Sequence, residues 1–285
     1  MGIKIAAWQE NLVASLGEKG VVAELQAEGS ALLLKFKDSG QLVLNLLTLD
    51  CSFHAQELLT LQSLYSDRGI LLVQLWEDIW LTRPLQVLSR ICSLLGKNKT
   101  VHGRKTKVIA VSQPQADEFF VRYHLQASAN ARYKYALTLD NEIVAMASFS
   151  GKRNMTRRAQ EGYTSVELIR FATADGITVQ GGLSKLIGHL VQTIRPNDVM
   201  TYTDMDWSQG KGYIKLGFEL VATSAPAEIW LNRTDMTRYF PHRLPEKVKS
   251  ELTGLSAAET EDFLLSMNYI RIYNSGNLKH ILQIL

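Results

Sequence analysis

Residues 166–218 constrain the fold of this 285-residue chain more than any other stretch. Residues 166–172 form an apolar run that predicts a buried strand. After a loop, Gly181 and Gly182 precede a segment whose apolar residues have helical spacing. Pro196 ends that helix, and residues 198–202 predict a second strand. A strand, a glycine turn, a helix and a strand in this order predict a βαβ unit with two parallel strands.

The two glycines lie at the predicted start of a helix. Backbone N–H groups there lack helical partners, and the helix dipole favours negative charge, so such a turn can bind an anion. Glycine also permits close approach between the backbone and a phosphate. A Gly-Gly pair before a helix is equally explained as ordinary turn chemistry, and the turn alone leaves both interpretations open.

A second motif lies downstream, where residues 213–218 read YIKLGF at the end of a predicted short helix. Together with Gly182-Leu183-Ser184, this motif resembles the GNAT acyltransferase family. The resemblance implies that the glycine turn binds the pyrophosphate of acetyl-CoA or another acyl-CoA, and that Tyr213 protonates the departing CoA thiolate. Two positions depart from the family pattern: Val179 replaces the usual Gln or Arg, and Ser184 replaces Gly or Ala.

The resemblance implies three groups of site residues. The candidate cofactor-binding residues are Phe171, Ala172, Thr173, Gly181, Gly182, Leu183, Ser184 and Lys185. The candidate catalytic residues are Tyr213 as general acid, with Glu167 and Asp204 as alternative bases. The candidate contacts to an anionic substrate or nucleic acid are Arg153, Arg157, Arg158 and Arg170. For Glu167 and Asp204, a surface or helix-capping role is the alternative interpretation.

Three segments also resemble a phage subgroup of this fold: ELIRF (167–171), VQGGLSKL (179–186) and TYTDMDWSQG (201–210). Mom-type DNA-modification proteins of phages are similar in the last of these. Residues 269–277, YIRIYNSGN, are similar to the C-terminal segment of the same phage proteins. The resemblance implies a phage or mobile-element context and an amine acceptor that could be linked to nucleic acid.

The first part of the chain carries a different pattern. Strands are predicted at residues 21–25, 31–36, 42–49 and 70–76, with a helix at 54–65. The segment GILLVQLWEDIW (69–80) resembles the Vsr-like fold of short-patch-repair and homing endonucleases. That resemblance places the family's His and Lys near Leu58 and Leu61, and its acidic residue near Leu44 or Asn45. Since a hard cation needs clustered carboxylates, we expect a degenerate nuclease domain with no metal site.

The predicted fold class is therefore α/β (α+β) with four segments. Residues 1–98 form the degenerate Vsr-like domain, and the polar, basic residues 99–107 form a linker. Residues 108–232 form the GNAT-like mixed sheet with flanking helices, closed by a hairpin at 219–232. Residues 233–285 form a C-terminal extension that packs on that sheet.

Composition narrows the class of protein and the cellular compartment that we expect. The chain is 46% hydrophobic and 21% charged, as expected for a globular protein. Its net charge of +3 is too small to argue for nucleic-acid binding by itself. Cys51 and Cys92 are far apart and suit a reducing compartment, and no apolar run approaches the roughly 18 residues of a membrane span. We expect a cytoplasmic protein without a membrane partner, and its oligomeric state stays open.

Two hypotheses follow. The first is a transferase that moves an acyl group from acyl-CoA to an amine. The alternative is a non-catalytic or DNA-binding mobile-element protein with an eroded nuclease domain. Gly181, Gly182 and Tyr213 favour the first, whereas Val179 and the missing nuclease carboxylates favour the second.

Overall fold

The computed structural model describes residues 5–50, 53–156 and 161–284. The helices in chain order are α1 (Ala7–Glu18), α2 (Ala55–Asp67), α3 (Glu77–Thr82), α4 (Pro84–Leu94), α5 (Gln113–Tyr123), α6 (Gly182–Ile194), α7 (Lys211–Lys215), α8 (Glu246–Glu251) and α9 (Ala257–Ser266). The first strands are β1 (Ala23–Glu28), β2 (Ala31–Phe36), β3 (Ser39–Leu47), β4 (Leu71–Trp76), β5 (Lys99–His102), β6 (Lys107–Ala110), β7 (Tyr133–Leu139), β8 (Glu142–Phe149) and β9 (Arg153–Asn154). The remaining strands are β10 (Thr164–Thr173), β11 (Ile177–Gln180), β12 (Asp198–Asp204), β13 (Glu219–Thr223), β14 (Glu228–Asn232), β15 (Thr237–Tyr239), β16 (Tyr269–Tyr273) and β17 (Asn277–Gln283).

Helices and mixed sheets alternate along the chain, which confirms the α/β fold class. The chain divides into two compact units. Unit 1 takes its described residues from 1–82, 204–208 and 224–277, and unit 2 takes its own from 83–203, 209–223 and 278–285. No helix in the described ranges is long and apolar enough to cross a membrane.

Unit 1 contains a four-stranded sheet in the order β1-β2-β3-β4. The first three strands pair antiparallel, and β4 pairs parallel to β3 because α2 connects them. The predicted strands and the predicted helix of this region are all present. A second sheet in the order β15-β14-β16 also belongs to unit 1, and Ile229 and Leu231 of β14 pack with Leu47, Leu58 and Trp76.

Unit 2 contains the main sheet, in the order β13-β17-β12-β10-β8-β7-β6, with β9 paired to β10. Strands β6, β7, β8 and β10 pair antiparallel in succession, and β10 pairs parallel to β12. The predicted βαβ unit is therefore β10, α6 and β12. Helix α6 packs Leu186, Ile187 and Leu190 against one face of the sheet, and α5 packs Phe119 and Phe120 on a separate core cluster.

The predicted closing hairpin at 219–232 is wrong. Strand β13 pairs with β17, and β14 pairs with β15 and β16 in unit 1. The chain leaves the main sheet after Thr223 and returns at residue 277, where Ser224 N–H donates to the Asn277 carbonyl at 2.8 Å. Residues 277–283 then supply the strand between β12 and β13, so a non-local strand occupies the place that the hairpin would have taken.

The expected segment boundaries also differ from the observed division. Residues 99–102 do not form an extended linker, because they pair as β5 with β11 from Ile177↔Lys99 to Gln180↔His102. Within the predicted C-terminal extension, residues 233–277 group with unit 1 and residues from 278 onward with unit 2. Cys92 is half-buried, and Cys51 lies outside the described residues.

Candidate functional site

The main sheet of unit 2 opens between its two parallel central strands. Strands β10 and β12 pair from Ser165↔Asp198 to Leu168↔Thr201. Beyond that point the ladder stops, although β10 continues to Thr173 and β12 to Asp204. On its other edge β10 stays paired to β8 up to Thr173, with a register shift between Leu168 and Arg170. The second half of β10 therefore has one edge without a strand partner in the described chain.

The glycine turn begins helix α6 beside this opening. Gly181 is the N-cap with a φ of +72°, and the N–H groups of Gly182, Leu183 and Ser184 have no acceptor among the described residues. The Lys185 N–H differs from the expectation, because it donates to the Gly181 carbonyl at 3.0 Å as the first helical bond. Three adjacent donors at a helix start suit an anion.

Gly182 has no room for a side chain unless its neighbours move. A Cβ at this position would lie 2.9 Å from Val179 Cγ1 and 3.1 Å from Leu137 Cδ1. Val179 is buried, so the departure from the family's Gln or Arg places a core residue under the turn and removes a polar side chain from it. Ser184 is exposed, and its side chain leaves the turn open.

Lys185 does not offer its ammonium group to a ligand as the sequence suggested. Its Nζ donates to the Gly103 carbonyl at 3.0 Å and to the Thr106 carbonyl, so it fixes the preceding basic segment to α6. A Cβ at Gly103 would lie 3.0 Å from the Gln180 carbonyl oxygen, which shows how closely this segment approaches the turn. Arg104 and Lys105, which follow Gly103, are exposed. The basic stretch therefore brings cationic side chains next to the glycine turn.

Tyr213 lies at the point where the two parallel strands separate. It is hydrogen-bonded to Thr201, the last paired residue of β12, and the Thr201 hydroxyl is 3.0 Å from the Leu168 carbonyl that it donates to. Burial raises the pKa of the Tyr213 hydroxyl, while the hydrogen bond with Thr201 and the charge of Arg90 act in the opposite direction. Tyr213 is therefore protonated at neutral pH and can act as an acid.

His280 of β17 completes the surroundings of Tyr213. The two rings are 5.5 Å apart between centroids, and His280 Nδ1 is 3.3 Å from the Thr203 hydroxyl oxygen. Burial lowers the pKa of His280, so its imidazole is neutral at pH 7. No local pattern indicated His280, because β17 reaches this position only through non-local pairing.

Glu167 and Arg170 lie on the sheet face opposite to α6. Val166 and Leu168 pack in the α6 cluster, and alternation along β10 places Glu167 on the other face. After the register shift, Phe171 packs in the α6 cluster and Ala172 in the α5 cluster, so Arg170 shares the face of Glu167. The Glu167 carboxylate is half-buried and has no hydrogen bond or ion pair within the described ranges.

The other predicted site residues are distributed as follows. Phe171, Ala172 and Thr173 form the part of β10 beyond the last parallel pair, and their contact with a cofactor stays a prediction. Leu183 is half-buried in the first turn of α6 and packs in the α6 cluster. Arg153 is exposed on β9, which pairs with the other end of β10. Arg157 and Arg158 lie outside the described residues.

Asp204 is the last residue of β12 and groups with unit 1. Its Oδ1 accepts the Asp206 N–H at 3.0 Å. Its role as a catalytic base stays a prediction.

Unit 1 holds a buried polar cluster around Asp206. The Asp78 carboxylate accepts two hydrogen bonds from Arg238, at 2.6 and 2.8 Å, and Asp206 accepts the Ser275 N–H at 2.8 Å. Burial and the charge of Asp204 raise the pKa of Asp206 to about 7. No group of three or more His, Cys, Asp or Glu residues in the described chain has an arrangement that could hold a metal ion. Asp78 therefore serves as an ion-pair partner in this cluster.

Comparison with known proteins gives matches only among solved structures. No protein-family model matches the chain, and no curated protein matches it. The ribosomal-protein-S18-alanine N-acetyltransferase from Escherichia coli is 12% identical, with 63% of this chain and 94% of that chain covered at a TM-score of 0.38. An acetyltransferase from Bacillus subtilis in complex with CoA is 13% identical, with 64% and 100% covered at a TM-score of 0.34. A GNAT family acetyltransferase from Elizabethkingia anophelis with acetyl-CoA bound is 13% identical, with 63% and 99% covered at a TM-score of 0.33. Likeness at these TM-scores does not define a shared fold, so inferences about this chain depend on its own residues.

Proposed function

We propose that unit 2 is a GNAT-type N-acyltransferase that moves an acyl group from acetyl-CoA or another acyl-CoA to an amine. The observation that carries this proposal is the separation of β10 and β12 after Leu168↔Thr201, with Tyr213 bound to Thr201 at that point. The strand order, with β17 between β12 and β13, supports it further. An unpaired strand edge next to a protonated phenol offers both a place for a thioester arm and an acid for its sulfur.

The donor would bind along the opening. The edge of residues 171–173 that faces away from β8 would offer backbone groups to the amide-containing pantetheine arm. The free N–H groups of Gly182, Leu183 and Ser184 would receive the pyrophosphate, with Arg104 and Lys105 close to its negative charge. These side chains compensate for the apolar Val179 in the turn.

In the proposed acyl transfer, Glu167 would act as the base and Tyr213 as the acid. The acceptor amine attacks the thioester carbonyl carbon, and the C–S bond breaks as the C–N bond forms. Glu167, whose carboxylate has no partner among the described residues, would accept the amine proton directly or through water. Tyr213 would give its proton to the departing thiolate, and burial of its hydroxyl keeps that proton in place at neutral pH.

Titration of acetyl-CoA into the purified chain tests the donor site. Ser184→Glu adds a carboxylate at the exposed edge of the turn, and we expect it to weaken binding by about 10- to 100-fold through charge repulsion. The same charge at a helix N-terminus is favourable for folding, so the melting temperature should not fall. Gln192→Glu is the matched control, because it adds the same charge at an exposed position near the other end of α6.

The titrations of wild type and Ser184→Glu show whether the glycine turn binds acetyl-CoA or only begins helix α6. Equal binding of acetyl-CoA by wild type and Ser184→Glu, or no binding by wild type, would contradict the proposed donor site. Gly182→Asp is unsuitable for this test, because its Cβ would clash with Val179 and Leu137 and disturb the core.

We also infer that the first part of unit 1 is a Vsr-like domain without nuclease activity. The order α1-β1-β2-β3-α2-β4, with β3 and β4 parallel, supports the resemblance stated for its sequence. On these adjacent strands the buried polar pair is Asn45 and Gln74, whose amides are joined at 2.8 Å. Amides do not supply the anionic oxygens that hold Mg²⁺ well.

A cleavage assay on double-stranded DNA with Mg²⁺ or Mn²⁺ tests this inference, and we expect no cleavage. Cleavage that disappears in Glu77→Gln would contradict it. As part of the same proposal, we infer that the chain has a phage or mobile-element context and is similar to Mom-type proteins. We also infer that DNA is its partner. Retention of labelled duplex DNA by the purified chain would favour the DNA-binding alternative, particularly if acetyl-CoA does not bind.

A further inference from the structure

A buried histidine of unit 2 lies against the proposed general acid. His280 is 1% exposed, and its ring centroid lies 5.5 Å from that of Tyr213, with an angle of 36° between the two ring planes. Phe218 also contacts Tyr213, at 5.4 Å between centroids and an interplanar angle of 65°. These two rings limit the orientations that the Tyr213 ring can adopt, and of the two only the imidazole carries polar atoms.

The imidazole also lies against the start of the helix that carries Tyr213. Gly210 is the N-cap of α7 with a φ of +71°, and a Cβ there would lie 2.6 Å from both Cε1 and Nε2 of His280. Glycine is the residue that permits this close approach at a positive φ. The Gly210 carbonyl accepts the Tyr213 N–H at 2.9 Å. His280 is therefore next to the Tyr213 ring and next to the residue that anchors the Tyr213 backbone.

A residue of the neighbouring strand holds the imidazole. Thr203 Oγ1 lies 3.3 Å from His280 Nδ1, and Thr203 is 5% exposed. Strands β12 and β17 are adjacent in the main sheet, so this hydrogen bond joins two side chains that regular structure holds in place. A buried ring nitrogen without a partner is costly, so the contact with Thr203 favours one orientation of the imidazole. Thr203, Gly210, Tyr213 and His280 all belong to unit 2.

The proposed reaction requires Tyr213 to be held from outside its own helix. A general acid is effective only when its hydroxyl lies within hydrogen-bond reach of the atom that receives the proton. Helix α7 has five residues, and so short a helix is not stable without contacts to other elements. The contacts of His280 with the Tyr213 ring and with Gly210 provide this support from β17.

We propose that His280 is a positioning residue for acyl transfer, which holds the Tyr213 phenol at the point where β10 and β12 separate. It acts through Tyr213 and takes no proton itself. The inference rests on the proposed acyl transfer for its functional meaning. Burial lowers the pKa of His280, so the imidazole is neutral at pH 7 and adds no positive charge that would favour loss of the phenol proton before the reaction.

The kinetics of His280→Leu test this role. Leucine fills much of the same space without the planar ring and its nitrogen atoms. We expect kcat for CoA release to fall by about 10- to 100-fold, because a displaced acid is less effective, while KM for acetyl-CoA stays within about twofold. In a Tyr213→Phe background the same change should lower kcat no further, because the hydroxyl that His280 holds is already absent. A residue with a merely structural role would lower kcat in both backgrounds.

Gly210→Ala tests the same contact from the other side. Its Cβ would displace the imidazole, and we expect a loss of kcat of the same order as in His280→Leu. Gly176→Ala is the matched control, because its φ of +68° imposes the same backbone strain and a Cβ there would meet nothing within 4 Å. This control should keep the kcat of the wild type.

Two further variants separate the contact with Tyr213 from general packing. His189→Leu removes a different His–Tyr contact of unit 2, in which the rings of His189 and Tyr135 are 4.6 Å apart, and it should leave kcat unchanged. If His280→Leu does not fold, Thr203→Val replaces it, because it removes only the hydroxyl partner of the imidazole. Thr203→Ser should then restore the rate that Thr203→Val loses.

NMR spectra of protein labelled with ¹³C at the tyrosine Cζ atoms test the contact without turnover. The Tyr213 signal is identified by its absence in Tyr213→Phe. We expect one sharp Tyr213 signal in the wild type, because the ring has one orientation. The signal should shift and broaden in His280→Leu and stay in place in His189→Leu.

Four results would overturn the proposal: an unchanged kcat in His280→Leu, equal losses of kcat in His280→Leu and His189→Leu, a further loss when His280→Leu is added to Tyr213→Phe, or an unchanged Tyr213 signal in His280→Leu. Failure of the wild type to bind acetyl-CoA or to release CoA is a different result. It would refute the acyltransferase, whereas a Tyr213 signal that depends on His280 would still establish that the histidine positions this ring.

Discussion

The pH dependence of stability should reveal the buried carboxyl of Asp206. This side chain is 4% exposed, and its pKa of about 7 lies above the ordinary value of 3.8. Because the folded-state pKa is raised, the stability linked to its proton is present below about pH 4 and is lost as the pH rises through 7. Deprotonation leaves a buried negative charge next to Asp204, which the Ser275 N–H and Arg238 offset only in part.

The expected magnitude follows from the two pKa values. A difference of about 3 pH units corresponds to about 4 kcal/mol, and the shared titration with Asp204 reduces the part that belongs to Asp206 to about 2–4 kcal/mol. Asp206→Asn resembles the protonated carboxyl in shape and keeps an oxygen acceptor for Ser275. The variant should therefore exceed the wild type in stability by this amount above pH 7, and the difference should shrink towards zero as the pH falls to about 4.

Urea denaturation followed by tryptophan fluorescence between pH 5 and pH 9 measures the difference. Asp262→Asn is the control, because Asp262 is exposed on α9 of the same unit and should show no pH-dependent gain. Parallel stability curves for wild type and Asp206→Asn across this range would refute the argument, as would a wild type that becomes more stable than the variant above pH 7.

Two further predictions concern unit 2. Tyr213→Phe keeps the ring and removes the hydroxyl, so calorimetry should show nearly unchanged acetyl-CoA binding while CoA release slows by about 10²- to 10⁴-fold; an unchanged rate would exclude Tyr213 as the acid. Gly182→Ala and Gly188→Ala form a matched pair on one helix. A Cβ would meet Val179 Cγ1 at 2.9 Å in the first and nothing within 4 Å in the second. The first should therefore lower thermal stability by about 1–3 kcal/mol and the second raise it by about 0.5–1 kcal/mol, and a reversed order in thermal melts would contradict the packing described for the turn.

Local sequence signals predicted the parts of the fold that depend on neighbouring residues. The βαβ unit of β10, α6 and β12 was predicted because its apolar periodicity and glycine turn are contiguous. The turn between β7 and β8 is also determined locally, because Asp140 and Asn141 have φ values of +51° and +69°, which a tight hairpin turn requires. The start of α9 likewise depends on neighbouring residues, since the Ser256 N–H donates to Glu259 Oε2 at 2.8 Å in a capping box.

The predictions that the structure contradicts share one physical cause, because each depends on contacts between residues far apart in sequence. No local pattern distinguishes β17 from an edge strand, because its place between β12 and β13 depends on pairing with residues more than 50 positions away in sequence. Lys185 looked like a solvated or phosphate-binding lysine, and only the approach of residues 103–106 reveals its two carbonyl partners.

The late position of β17 has a consequence for how the protein is made. During translation, β12 and β13 leave the ribosome well before β17 (277–283), because the segment 224–276, which groups with unit 1, lies between β13 and β17. The nascent main sheet must therefore persist with an open edge on β12 until its missing strand has been synthesised. Such an edge can pair with other extended chains, so we expect the nascent chain to depend on protection by chaperones more than the finished protein does.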